Sequence, residues 1–322
     1  MYRSEAMTSP NFDQWRESGR YFEHHGHRVF YQEGGNGEAE QTLVCIHGFP
    51  SASWDWHRIW PRLCERFGRV IALDMLGFGY SAKPKDYRYS LMDQTDLHES
   101  LLRYLKVSRF HILAHDYGVS VAQELLARHE DRKARCDEQF AIDSCVLLNG
   151  GLFPEAHRAR PIQKLLDSPL GPLVSLLNSE AKFRRNFSAV FGKDTQPSDR
   201  ELREFWRLNT HNGGHRLFHK LIGYIRERRE HRERWVGALR TTDVPMRLIN
   251  GPDDPVSGAH MAELYRKLVS RPDIVSLVGI GHYPQVEDPD GVLNAFLEFY
   301  DSMGRSRSLR SRSGQPEISI PA

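Results

Sequence analysis

The chain has 322 residues, of which 39% are hydrophobic and 27% charged, values that fit one folded domain carrying an insertion and exclude a disordered chain or a coiled coil. A formal net charge of only +2 gives no electrostatic footprint for nucleic acid or a membrane across the molecule as a whole. Cys45, Cys64, Cys136 and Cys145 are too scattered for a disulfide framework or a zinc site and read as reduced core thiols. The first 25 residues lack an apolar secretion segment, and nowhere do about 18 apolar residues run together, so the cytoplasm is the expected compartment.

Short β-type runs alternate with amphipathic helical patterns. Strands are predicted near Arg28–Gln32, Thr42–His47, Val70–Asp74, Phe110–His115 and Cys145–Asn149, with helices over Trp54–Arg66, Leu91–Leu105 and Tyr117–Arg128. This alternation predicts an α/β fold, a mostly parallel sheet with helices on both faces. From Leu152 to Leu239 no strand pattern is visible, and the segment reads as a helical cap inserted into the sheet domain. Strand and helix patterns resume at Met246–Asn250, His260–Val269, Ile274–Val278 and Val292–Ser302. The expected organisation is therefore a core of residues 22–151 and 240–303, a cap of residues 152–239, and a tail of residues 304–322. That tail is repetitive in Arg and Ser and is expected to be disordered.

Between the strand FHILAH and the helix beginning at Tyr117 lies Ala114-His115-Asp116-Tyr117-Gly118, a small-x-nucleophile-x-small elbow with Asp at its centre. Small flanking residues are needed because the strand-to-helix turn is tight. A carboxylate suits the N-terminal end of a helix, where it could also be a plain cap. Two further features favour a nucleophile. Met246–Asn250 leads into Gly251-Pro252-Asp253-Asp254-Pro255-Val256, and Ile274–Val278 leads into Gly279-Ile280-Gly281-His282, the chain order of an acid and a histidine base. Asp254 is chosen over Asp253 on a Gly-x-x-Asp-x-Val spacing. After the strand TLVCI, His47-Gly48-Phe49-Pro50 offers the Phe49 amide, which with that of Tyr117 would form an oxyanion hole. A carboxylate attacking an ester would give a reactive anhydride, whereas attack at sp³ carbon gives an alkyl ester that an activated water then hydrolyses.

Other patterns are discounted. Gly77 and Gly79 lack the third glycine of a dinucleotide fingerprint, and His24-His25-Gly26-His27 lacks metal-site spacing, so neither cofactor nor metal is expected.

These motifs resemble the branch of the α/β-hydrolase fold that contains epoxide hydrolases and haloalkane dehalogenases. Within it, Asn149-Gly150-Gly151-Leu152-Phe153-Pro154-Glu155, Arg234-Trp235-Val236-Gly237-Ala238-Leu239 and His282-Tyr283-Pro284-Gln285-Val286-Glu287-Asp288-Pro289 are similar to the mesoderm-specific transcript family. The resemblance implies a small apolar electrophile as substrate. Epoxide hydrolases of the branch protonate the opening ring with cap tyrosines, and here the cap supplies Tyr224; Tyr224 and Trp206 are assigned to substrate binding. Dehalogenases usually hold the halide with a Trp after the nucleophile, where this chain has Tyr117, and with a group at the position of Phe49. Epoxide opening is therefore placed ahead of dehalogenation. A catalytically inert binding or regulatory protein is the rival from another class. The arginines Arg184, Arg185, Arg226, Arg228, Arg229, Arg232 and Arg234 could dock an acidic partner, but more often such a run is a solvated helix face.

Overall fold

Runs such as TLVCI and RVIAL have no polar face, as strands covered by helices on both sides require. The computed structural model describes residues 10–38, 40–137 and 139–313. Among these the chain passes through α1 (Phe12–Ser18), β1 (Arg20–His24), β2 (His27–Gly34), β3 (Thr42–Ile46), α2 (Trp60–Arg66), β4 (Arg69–Leu73), α3 (Leu91–Tyr104), β5 (Arg109–Ala114), α4 (Tyr117–Ala134) and β6 (Ala141–Leu147). The cap follows: α5 (Pro161–Leu166), α6 (Gly171–Leu176), α7 (Glu180–Ser188), α8 (Asp199–Thr210), α9 (Phe218–Leu221), α10 (Tyr224–Glu230) and α11 (Arg232–Thr241). The chain returns to the core through β7 (Met246–Asn250), α12 (Ala259–Leu268), β8 (Ile274–Ser276), α13 (Pro284–Glu287) and α14 (Pro289–Ser313).

The sheet has the order β1-β2-β4-β3-β5-β6-β7-β8. Its first two pairings are antiparallel and all later ones parallel. β3 and β5, adjacent in its middle, are buried along nearly their whole length. Their C-terminal ends and those of β7 and β8 face the cap, the edge at which open α/β sheets place their sites. Cap and core are joined by buried polar contacts as well as by apolar packing. On α4, Glu124 accepts from Arg234 at 2.7 Å and from the Trp235 indole at 2.8 Å.

Four expectations need correction. β1 was not foreseen, because its two aromatic residues are neighbours, Tyr21 exposed and Phe22 buried, and give no apolar alternation to read. The helix expected over Trp54–Arg66 is a 3₁₀ turn at Ser53–Trp56 followed by α2, whose second residue, Pro61, can stand only in a first turn. Cys136 is exposed, although the other three cysteines are buried as expected. The last helix, expected to end at Ser302, runs on to Ser313 and so into the segment expected to be disordered, since each residue added to a formed helix gains a backbone hydrogen bond; residues 314–322 lie outside those described. No helix among the described residues is long and apolar enough to cross a membrane.

The chain passes close to backbone at Gly118, at the start of α4, where an added Cβ would lie 2.4 Å from the Ile46 carbonyl oxygen. Gly118→Ala is expected to destabilise the protein by about 2 kcal/mol or more, since backbone rather than a flexible side chain must yield. Denaturant unfolding measures this, and an unchanged midpoint would contradict the close approach of β3 and α4.

Candidate active site

Asp116 ends the turn between β5 and α4 with φ of 45° and ψ of −104°. A non-glycine residue in that region costs on the order of 1–3 kcal/mol and is held there by its surroundings. Here the Asp116 amide donates to the Asn149 carbonyl at 2.8 Å and the preceding His115 amide to Ile46 at 2.9 Å. The side chain is thrust above the sheet ends and does not cap α4, so the plain-cap reading of Asp116 fails on geometry.

One carboxylate oxygen, Oδ2, accepts the Phe49 amide at 2.9 Å. The loop delivering that amide is fixed from below. His47 accepts the Met75 amide at 3.0 Å, and Asp55 accepts from Gly48 and from the Ser51 hydroxyl at 2.6 Å. Gly48 has no room for a side chain, because a Cβ there would lie 2.9 Å from that of Asp116. The Phe49–Pro50 peptide is cis. Tyr117, the second expected donor, occupies the first position of α4, where a backbone N–H has no partner within the helix.

The other oxygen, Oδ1, stands 3.8 Å from His282 Nε2. His282 Nδ1–H donates to Asp254 Oδ2 at 2.7 Å. Asp254 is buried and also accepts from the Ser257 hydroxyl at 2.6 Å, the Val256 amide at 2.7 Å and Asn149 at 3.0 Å. Asp253 next to it is exposed. Burial alone would raise the Asp254 carboxyl; the His282 charge and these donors overcome it and hold the group well below the usual carboxylate range. Burial likewise opposes a charged His282, but Asp254 first and then Asp116 outweigh it and lift the imidazole to about 9.

Several residues that sequence reasoning passed over hold this arrangement. Asn149, at the end of β6, bridges the acid loop by accepting from Gly251 at 2.7 Å and donating to Asp254. His115 Nε2–H donates to the His282 carbonyl at 2.7 Å. Glu287 accepts from both Gly281 and the cap residue Gly192, which ties the histidine loop to the cap.

Arg228 was read as part of a solvated face and is instead buried. Its Nε donates to Ser120 at 2.7 Å and its Nη2 to the Asp116 carbonyl at 2.9 Å, with the Asp116 carboxylate 3.9 Å away. Gly151 makes room, since a Cβ there would lie 2.2 Å from Arg228 Nη1. The signal was available: Arg228 stands four residues after Tyr224, on the same face of α10. Other arginines of that run do pair at the surface, Arg184 with Glu180, Arg226 with Asp167 and Arg232 with Glu155.

Tyr224 is buried beside Asp116, its ring 5.0 Å from that of Tyr117, 5.9 Å from Phe49 and 4.5 Å from the Arg228 guanidinium. Burial, then the Asp116 charge, raises its phenol well above the ordinary range. His157 lies close by, and burial followed by the Arg228 charge lowers it to about 3, so its imidazole is neutral. Trp206 needs correction. On α8 the inward position belongs to Phe205, which is buried, while Trp206 is half-buried and lies tilted against Phe183 and His215. Phe183 lines the cavity, whereas neither Trp206 nor Tyr224 is among its lining residues.

That cavity has a volume of about 580 Å³. It runs from Asp116 and His282, past Phe187, Phe218 and Ile162, to the outer surface of α5 and α6.

This sheet, cap and elbow define a class. The chain belongs to the α/β-hydrolase fold family, whose model matches residues 41–289. It is 42% identical over 301 residues to the mesoderm-specific transcript protein of Mus musculus, covering 91% of this chain and 89% of that protein. Among solved structures, the haloalkane dehalogenase DbeA of Bradyrhizobium elkani superposes with a TM-score of 0.73 at 22% identity, over 90% of this chain and 99% of that one. The epoxide hydrolase CorEH gives 0.71 at 19%, over 88% and 99%. At such identities these two structures bear on the fold alone.

The His282–Asp254 pair makes stability depend on pH. His282 is raised in the folded state, so its contribution is complete below its ordinary value and fades as pH rises through about 9. The gap in unfolding free energy between the native protein and His282→Gln should therefore narrow by a few kcal/mol between about pH 7 and pH 10. A gap constant across that range would mean that the imidazole is not held charged.

Proposed function

We propose that the protein is a hydrolase that forms a covalent alkyl ester on Asp116, with epoxide opening as its reaction. The observation that carries this reading is the division of labour within one carboxylate: Oδ2 accepts the Phe49 amide, while Oδ1 faces the His282 imidazole at 3.8 Å and the Arg228 guanidinium at 3.9 Å.

Attack by Oδ1 on an epoxide carbon forms the ester and breaks the ring C–O bond, leaving an alkoxide that needs a proton. Tyr224 is the donor assigned here, its phenol kept protonated by burial, with neutral His157 as the neighbouring cap group. The same step removes the Asp116 charge. One of the charges raising His282 is then gone, with the larger Asp254 contribution still in place, and the Tyr224 phenolate is reprotonated at the expense of the imidazolium, which leaves His282 able to act as the base. It takes a proton from water, the hydroxide adds to the Asp116 carboxyl carbon, and the developing negative oxygen lies at the Phe49 amide, joined by that of Tyr117. Collapse leaves Asp116 as a carboxylic acid and the diol as its alkoxide, which takes that acid's proton; Asp116 is restored as a carboxylate, with His282 again protonated and Tyr224 again a phenol.

Dehalogenation is the less favoured reading. Where its halide donors would stand, Phe49 and Tyr117 place rings packed against Phe78, at 6.3 and 5.5 Å.

Tyr224→Phe should slow alkylation by an epoxide about 10²-fold and leave ester hydrolysis nearly unchanged. Single-turnover kinetics separates the two steps. An unaltered alkylation rate would remove Tyr224 from the chemistry and favour a leaving group that needs no proton. His282→Gln should alkylate and then stall, so that intact mass shows a stable adduct; full turnover by this variant would eliminate His282 as the base.

A further inference from the structure

Among the residues whose side chains are described, which end at 303, large apolar side chains are exposed at eight places, and five of these fall within thirteen residues of the cap: Leu165, Leu170, Leu173, Leu176 and Leu177. They occupy α5, α6 and the turns that follow them. Leu165 and Leu177 also line the cavity, so the exposed face and the wall leading to Asp116 form one continuous apolar surface.

Charge surrounds this face unevenly. Residues 160–185 carry five basic and two acidic side chains, a local excess of three that exceeds the +2 of the whole chain. The acids are already engaged, Asp167 by Arg226 and Glu180 by Arg184. Among the described residues, Arg160, Lys164, Lys182 and Arg185 form no salt bridge, and three of them stand along the cavity wall.

We infer that the α5–α6 face of the cap docks on the surface of an anionic phospholipid bilayer and draws apolar substrate from it into the cavity. Leucines surrounded by lysine and arginine suit a surface with acyl chains beneath anionic headgroups. A second copy of the chain suits it less, because a two-fold contact would set like-charged faces against each other. A molecule leaving the bilayer would pass Leu165 and Leu177, then Ile162, Phe218 and Phe187, and reach Asp116 along this one cavity. The docking stands by itself, and only the delivery of substrate rests on the hydrolase reading above.

The test is co-sedimentation of the full chain with large unilamellar vesicles of phosphatidylcholine containing about a third phosphatidylserine. The native protein should bind these vesicles, and bind vesicles of phosphatidylcholine alone more weakly. Replacing Leu170, Leu173 and Leu176 together by Ser should lower binding on the order of tenfold or more without lowering the thermal midpoint, since none of the three lines the cavity. Asp116→Asn should bind as the native protein does, which separates docking from catalysis. Absence of native binding, or full binding by the triple variant, would overturn the inference. So would a leucine-dependent dimer seen by sedimentation equilibrium without vesicles, which would assign the face to a second copy.

Discussion

The hydrogen bond from the Phe49 amide to Asp116 Oδ2, at 2.9 Å, is the contact on which the rest of the site depends. It requires a loop after β3 and an elbow after β5 to meet, which adjacent parallel strands allow by setting Ile46 beside Ala114. It also requires backbone at close range. Glycine at 48 and 118 follows from that distance, and the left-handed φ of Asp116 is the conformational cost of presenting a carboxylate there. With one oxygen so engaged, the carboxylate is asymmetric before any substrate arrives.

That asymmetry organises the charges around it. Asp254, Asp116 and His282 are all buried, and two carboxylates with one imidazolium leave a net negative site. Arg228 reaches in from the cap to the carbonyl of the same Asp116 and stands 3.9 Å from its carboxylate. The cap therefore does more than cover the sheet. It brings a cation to the backbone of Asp116, a hydrogen-bonded brace to the histidine loop through Gly192 and Glu287, and a largely apolar channel leading outward. A buried guanidinium beside a buried carboxylate is costly to separate, and this makes cap and core one electrostatic unit.

Local rules exposed the parts of this design that they govern. The elbow Ala114–Gly118 is visible in sequence because a tight turn restricts residue size at fixed offsets, and Asp254 and His282 because loops after strands carry them in a fixed chain order. The α/β alternation is legible for the same reason, through period and turn chemistry. Residues that matter through distant contact are not legible in this way. Asn149 and Gly251 are 102 positions apart, and Arg228 and Asp116 are 112 apart, so no window of sequence contains either pair. Trp206 was misjudged because aromatic character does not reveal which of two neighbouring helix positions faces inward, and Phe205 took that place. The exposed leucines of α5 and α6 were invisible for a related reason: a Leu-rich helical pattern looks the same whether its apolar face is covered or bare.

The central claim is that an oxygen of Asp116 itself enters the product. A single turnover of a small epoxide, run with enzyme in excess in water enriched in heavy oxygen, tests this most directly. The account predicts that the first diol carries no heavy oxygen, while the peptide containing Asp116 gains it. Heavy oxygen in the first-turnover diol, with an unlabelled Asp116 peptide, would show that water attacks the substrate directly and would contradict a covalent role for Asp116.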